Sequence, residues 1–248
     1  MSQSAVRTEV RQTAESSAVR RLVKSIVGII VSPIATLGDV ARDPRPFAMI
    51  LFVSTITATG ATIFLSTDVG KLAWLDEAMR QADAFGLTIS DVQYAQLERL
   101  KENAMYLGLV ENLVGIPLII MALAGIIKAV FAVTAGADVA FRQLLGVVAA
   151  SAVILTLRQL FVLPLNYVRE SMTSFTNLGA LWPMLPDGSF LARFLGTIDL
   201  FAVWWLLVLT SGLGSLYRRR VHPIAATFFV YGLIALGMAL VLMLTGGG

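Results

Sequence analysis

The chain has 248 residues, of which 57% are hydrophobic and only 14% are charged, against roughly 25% charged residues in typical soluble domains. Its mean hydropathy of +0.79 indicates a membrane protein. The net charge of +3 is too small to indicate nucleic-acid binding, and the lack of cysteine excludes disulfides and thiolate metal sites.

Residues 1–45 predict a basic cytoplasmic tail. Residues 1–16 are polar and expected to be mobile. In the stretch AVRRLVKSIVGIIVSP that follows, Arg20, Arg21 and Lys24 alternate with apolar residues. This pattern predicts an amphipathic helix in the membrane interface, held by anionic lipids on the cytoplasmic side, rather than a signal peptide. A second surface helix is expected over PIATLGDVARD, ending before the next proline.

Residues 46–248 predict one membrane domain. A helix needs about 20 mostly apolar residues to cross a bilayer, and five segments meet this requirement: 46–66, 105–134, 144–163, 194–216 and 223–244. Pro46 suits the first turn of a helix, the second segment contains Pro117, and Pro164 is expected to end the third. The predicted fold is therefore an all-α, polytopic bundle of five transmembrane helices.

The longest connection between spans, residues 67–103, predicts a helical hairpin on the outer side. Four apolar residues recur at helical spacing: Leu72, Leu75, Met79 and Ala82. Ser90 and Gln93 have the spacing of a capping box, in which their side chains bond free N–H groups of a helix. Because acidic residues outnumber basic ones, the hairpin is either a docking surface or, as the preferred interpretation, a solvated connector.

The distribution of basic residues predicts the orientation of the bundle. With the N-terminus in the cytoplasm and the C-terminus outside, the inner segments hold twice as many basic residues as the outer ones, as the positive-inside rule expects. The densest inner cluster is Arg218, Arg219 and Arg220. It indicates a topology signal or, less favoured, an anchor for anionic lipid or a partner. Asp138 and Arg142, four residues apart at an inner turn, predict a helical ion pair.

Three charged residues lie within the predicted spans: Arg158, Asp199 and Glu111. The predicted boundaries place them at one depth, with Arg158 and Asp199 each about 7 Å from the outer boundary at about 1.5 Å per residue. Charges in hydrocarbon are costly and face a bundle interior or a water-filled cavity. We therefore predict that Arg158 pairs with Asp199, with Glu111 nearby. The pair is either a clasp that fixes helix register, the preferred interpretation, or a polar site for a solute, proton or lipid headgroup.

Motifs for catalysis and metal binding are missing from the sequence. It contains no H-E-x-x-H, G-x-S-x-G or Walker A pattern. The single histidine, His222, does not suffice for a usual metal site. We therefore expect no enzymatic activity, no cofactor and no bound metal.

Three long stretches resemble bacterial members of the Yip1 family. They are SPIATLGDVARDPRP, GADVAFRQLLGVVAASAVILTLRQLFVLPLNY and SFTNLGALWPMLPDGSFLARFLGTIDLFAVWWLLVLTSGLGSLYRRR. The resemblance covers most of the chain from about residue 30 and implies a five-helix membrane bundle with a cytoplasmic N-terminus. Eukaryotic relatives associate with Rab GTPases and membrane proteins in vesicle traffic. This chain lacks their Asp-Leu-Tyr-Gly-Pro signature and long cytosolic region, which argues against Rab binding.

Two classes of function remain. The first is a non-enzymatic membrane scaffold or adaptor in membrane organisation or trafficking-like processes, acting with a membrane-protein partner or as a homo-oligomer. The second is a small transporter or channel for a solute, ion or lipid, built around Arg158, Asp199 and Glu111. The uncharged fifth segment favours the scaffold. In either case we expect a multi-pass protein of the bacterial cytoplasmic membrane.

Overall fold

The computed structural model describes residues 3–84, 87–135, 139–173, 175–178 and 199–217, and the regular secondary structure within these ranges is helical. In chain order the α-helices are α1 (Gln3–Val31), α2 (Pro33–Arg42), α3 (Pro46–Leu65), α4 (Asp68–Ala84), α5 (Asp91–Leu100), α6 (Ala104–Val110), α7 (Ile116–Ala135), α8 (Phe141–Ser151), α9 (Val153–Arg169) and α10 (Leu200–Leu216). A 3-10 turn, Lys101–Asn103, joins α5 to α6, and a π turn, Glu111–Gly115, joins α6 to α7.

Three helical runs are long and apolar enough to cross a membrane: Pro46–Leu65, Asp91–Val133 and Phe141–Arg169. They match the first three predicted spans to within one residue at the end of the first and of the second and contain the third, so the structure supports the membrane class that the composition predicts. The helix α10 is also apolar but has 17 residues. Residues 194–198 of the fourth predicted span, and the whole fifth span, 223–244, lie outside the described residues.

Neighbouring helices alternate in direction around α3. The helices α8 and α9 run parallel to α3, because Pro44 lies against Gly146 at one end and Gly60 lies against Leu163 towards the other. The run α6–α7 is antiparallel to α3, since its Gly108 lies against Leu65. We call the two ends of the bundle the Pro46 end and the Leu65 end, after the first and last residues of α3.

The helix α1 already begins at Gln3, so residues 3–16, predicted to be mobile, belong to a helix. The predicted second surface helix is present as α2, and its outer face, with Asp39 and Arg42, is exposed. Its inner face, with Leu37, Val40 and Ala41, is buried where it packs against α8 and α10. A glycine permits this packing: a Cβ atom on Gly212 would lie 3.2 Å from Leu37 Cδ1 and 2.5 Å from a methyl of α8.

Two threonine hydroxyl groups on α3 bond within their own helix. Thr57 Oγ1 donates to the Val53 carbonyl at 2.7 Å, and Thr59 Oγ1 donates to the Thr55 carbonyl at 2.8 Å. Such bonds satisfy hydroxyls in an apolar environment without a water-filled path. The threonine-rich sequence of the first span is therefore compatible with ordinary helix packing.

The second span passes through Pro117 without ending. In the π turn before it, the Ile116 N–H donates to the Glu111 carbonyl, five residues back. Asn112 Nδ2 also donates to the Gly108 carbonyl at 2.7 Å. Proline lacks an N–H and its ring collides with the carbonyl four residues earlier, and local π geometry is one way in which membrane helices adapt to it.

The third span does not end at Pro164, which corrects the prediction. A break at Ala152 separates α8 from α9, and α9 continues through Pro164 to Arg169. The helix ends instead at Glu170, whose φ of 52° is left-handed. The N–H of Ser171 then donates to the Asn166 carbonyl at 3.1 Å, which satisfies a free carbonyl at the helix end.

Residues 67–103 form the predicted helical hairpin from α4 and α5. The capping box is present: Ser90 N donates to Gln93 Oε1 at 2.9 Å, and Gln93 N donates to Ser90 Oγ at 3.4 Å. Of the predicted apolar stripe, Leu75 is buried whereas Leu72 and Met79 are exposed. Lys71 Nζ lies 2.8 Å from Glu102 Oε2 and joins the base of α4 to the 3-10 turn. This hydrogen bond raises the pKa of Lys71.

Candidate functional site

Asp199 caps α10 rather than lying inside a span. Its Oδ1 accepts hydrogen bonds from the backbone N–H groups of Phe201 at 2.9 Å and Ala202 at 3.1 Å. A carboxylate at this position satisfies free N–H groups and faces the positive end of the helix dipole. The sequence analysis missed this role, although an aspartate directly before the apolar run LFAVWW has the pattern of a helix N-cap.

The predicted contact between Arg158 and Asp199 is formed. Arg158 Nε on α9 donates to Asp199 Oδ2 at 2.9 Å. The arginine side chain is 32% exposed and the aspartate side chain 17%, so water screens the ion pair only in part. The pair joins the middle of α9 to the first turn of α10.

Thr176 is a third member of the site that the sequence did not reveal. Its buried hydroxyl donates to Asp199 Oδ2, and its carbonyl accepts from the Leu200 N–H at 3.0 Å. The residues after α9 are thereby tied to the start of α10. No periodic pattern marks Thr176, since it lies outside a helix and 23 residues before its partner. Both carboxylate oxygens of Asp199 thus accept hydrogen bonds from the protein.

A second polar contact joins α10 to α8. Trp205 Nε1 on α10 donates to Ser151 Oγ at the end of α8, at 3.1 Å. Ser151 is fully buried and its hydroxyl donates to the Val148 carbonyl at 2.8 Å. Trp205 lies about 9 Å from Asp199 along α10, at about 1.5 Å per residue. Two polar contacts therefore fix the register of α10 against α8 and α9.

Glu111, the residue predicted to lie near the pair, is bonded to neither member of it among the described residues. It begins the π turn, which packs against α3, and its side chain is exposed. Among the described residues it forms no hydrogen bond or ion pair with Arg158 or Asp199. The physical reason is that at this level α3 is the neighbour of the second span, whereas α10 is the neighbour of α9.

The basic residues of α1 occupy one of three distinct faces. Leu22, Ile26 and Ile29 pack against the main hydrophobic cluster. A second face exposes apolar side chains: Val19, Val23, Val27 and Ile30. Arg20, Arg21 and Lys24 are exposed on a third face. Since a helix turns by about 100° per residue, this basic face lies next to the exposed apolar face. A helix of this kind suits a membrane interface.

Two other predicted sites lie partly or wholly outside the described residues. Arg142 is the second residue of α8, but its expected partner Asp138 is not described, and neither are Arg218, Arg219 and Arg220.

Two features of the described part of the chain bear on metal binding and on catalysis. It contains no group of three or more side chains positioned to hold a metal ion. A cleft of about 380 Å³ between α4 and α5 has walls of apolar, threonine and glutamine side chains. Because no ionisable group lines this cleft, acid–base chemistry is not supported there.

No protein-family model matches the chain, and searches of curated proteins and of solved structures find no significant similarity to it.

Proposed function

We propose that the protein is a non-enzymatic membrane scaffold or adaptor of the Yip1-like kind that its sequence resembles. The observation that carries this proposal is that Asp199 is fully engaged in structural bonds. Its two carboxylate oxygens accept from Arg158, from Thr176 and from two backbone N–H groups at the start of α10. A carboxylate held in this way fixes helices relative to one another and leaves little capacity for a transported solute.

The proposed placement has the N-terminus in the cytoplasm of a bacterial cell and the Leu65 end at the outer side of the cytoplasmic membrane. The helix α1 then lies along the cytoplasmic interface. Its exposed valines face the acyl chains, and Arg20, Arg21 and Lys24 face anionic headgroups. The helix α2, which has one buried face, connects α1 to the bundle. The lipid-contacting helix α1 is thereby joined through α2 to α8 and α10.

A second candidate function, a small transporter or channel, is favoured by one set of observations. The side-chain oxygens of Ser54, Thr62 and Asn166 are buried without a hydrogen-bond partner. These residues belong to α3 and α9, which pack against each other. Buried polar atoms without partners are rare and require an explanation. Water or a solute between α3 and α9 would supply their partners.

The two functions are separated by flux through reconstituted vesicles. For a scaffold, vesicles containing the protein show the same proton, potassium and fluorescent-lipid flux as empty vesicles, and Arg158→Leu changes nothing. Purification in mild detergent is expected to retain a protein partner or a homo-oligomer, identified by mass spectrometry and by molar mass in solution. Flux that appears with the wild type and disappears in a folded Arg158→Leu variant would overturn the proposal in favour of the transporter.

A further inference from the structure

The second membrane-crossing run, Asp91–Val133, is much less covered than the other two. Only 22% of its most apolar stretch is buried, against 56% in Pro46–Leu65 and 67% in Phe141–Arg169. Its packed side faces α3 and α8 through small or apolar residues such as Gly108, Ala124 and Ile127. No other described helix covers the remaining side of this run.

Glu111 lies on that open side. Leu107, Val114 and Leu118, which share its face by helical spacing, are all exposed large apolar residues. Gly108, three residues before Glu111, lies against Ala61 and Leu65 in the last turn of α3. Glu111 is therefore about one turn further into the bundle than the end of α3. A carboxylate thus interrupts an apolar surface within a run that can cross a membrane.

An ionisable group in this position is costly in lipid unless it is paired. Among the described residues, Glu111 has neither an ion pair nor a hydrogen bond from its side chain. The local helix geometry is also irregular, since Glu111 begins the π turn that precedes Pro117. Irregular π geometry of this kind recurs at functional positions in helices.

We infer that the open side of α6 and α7 is the docking surface for a transmembrane helix of a partner protein, and that this helix carries an arginine or lysine that pairs with Glu111. Charge complementarity selects this occupant. Lipid tails offer no partner for the carboxylate, and the predicted span 223–244 of this chain, which lies outside the described residues, has no charged residue to pair with it. The apolar residues around Glu111 supply the packing surface, and the ion pair supplies specificity. The inference rests on the proposed adaptor function and names the chemistry of the adaptor's partner.

The test uses the whole protein in vesicles and two synthetic peptides. Both are leucine–alanine helices of about 20 residues. One carries a single arginine one turn inside its end, at the depth of Glu111, and the other has leucine there. The chain has no cysteine, so Val133→Cys, at an exposed position, accepts one fluorescent donor. Energy transfer to labelled peptides then measures association.

We expect the arginine peptide to bind about tenfold more tightly than the leucine peptide, and Glu111→Gln to abolish this preference. Glu98→Gln, an equal change at an exposed glutamate of α5, should preserve it. Thermal unfolding shows whether each variant is folded. Equal binding of both peptides by the wild type overturns the inference, as does a preference that survives Glu111→Gln. Self-association of the protein that requires Glu111 also overturns it. The flux assay does not depend on Glu111, so the adaptor proposal and this inference fail on different measurements.

Discussion

Arg158 Nε lies 2.9 Å from Asp199 Oδ2, and the same aspartate caps α10 through its other carboxylate oxygen. The ion pair and the helix cap are thus one unit. Any change at Asp199 affects the start of α10, whereas a change at Arg158 leaves the hydrogen bonds of the cap in place. This difference makes the two halves of the contact separable by mutation.

Asp199→Ala should destabilise the protein more than Arg158→Leu does. The alanine removes an N-cap and leaves a partly buried guanidinium without this carboxylate, for a total loss of about 2 kcal/mol. The leucine removes the positive charge and, with it, the free-energy cost of partly desolvating that charge, and it leaves the cap in place. We therefore expect a loss of about 1 kcal/mol. Chemical unfolding in detergent, followed by circular dichroism, measures both values.

The control for this comparison is Asp39→Ala, because Asp39 forms a mostly exposed ion pair with Arg42. We expect a change below about 0.5 kcal/mol there. A loss at Arg158→Leu equal to or greater than that at Asp199→Ala would show that the cap contributes nothing and that the ion pair alone holds α10.

Gly212→Ala should destabilise the contact of α2 with α8 and α10. A Cβ atom at Gly212 would lie 2.5 Å from Val147 Cγ1 and 3.2 Å from Leu37 Cδ1, so the helices must separate. Overpacking of this kind costs about 1–3 kcal/mol. Gly214→Ala is the matched control on the same helix, since nothing lies within 4 Å of its added Cβ. Equal unfolding temperatures for the two variants would contradict the packing of α2 against α10.

The sequence predicted those features that local patterns determine. The bounds of the first span, the capping box at Ser90 and the approach of Arg158 to Asp199 follow from hydrophobic length, capping spacing and the matching depth of two charges. These signals work because a helix buries its apolar face and an intramembrane charge needs a partner.

Features that depend on tertiary packing were predicted wrongly or not at all. Pro164 has the sequence signature of a helix end, yet α9 continues through it to Arg169. The buried face of α2 packs against Gly212, which lies 170 or more residues further along the chain. Thr176 lies outside any helical pattern. For α2 and Thr176 the deciding contact comes from a distant part of the sequence.

Trp205→Phe should weaken the attachment of α10 to α8. The phenyl ring keeps most of the apolar contact but loses the hydrogen bond from Nε1 to Ser151 Oγ, at a cost of about 1 kcal/mol. Trp204→Phe is the matched control, because the indole of Trp204 forms no hydrogen bond with the described residues and lies beside Phe201 with the two rings tilted by 35°. Chemical unfolding measures both variants. Equal losses would mean that the ring volume, rather than the hydrogen bond, fixes the position of α10.

Neutralising Arg20, Arg21 and Lys24 together, each to glutamine, should release α1 from anionic membranes without unfolding the bundle. Each basic side chain near an anionic surface contributes about 1 kcal/mol of attraction, and all three are exposed. Hydrogen exchange of α1 in nanodiscs with anionic lipid should therefore be slower in the wild type than in the variant, and equal in nanodiscs of neutral lipid. Raising the salt to about 1 M shortens the Debye length to about 3 Å and should remove most of the difference.

The control, Val23→Ser with Val27→Ser, changes the exposed apolar face and should weaken protection in both lipids alike. If the charge variant loses protection equally in neutral and anionic lipid, α1 is held by the bundle and not by headgroups.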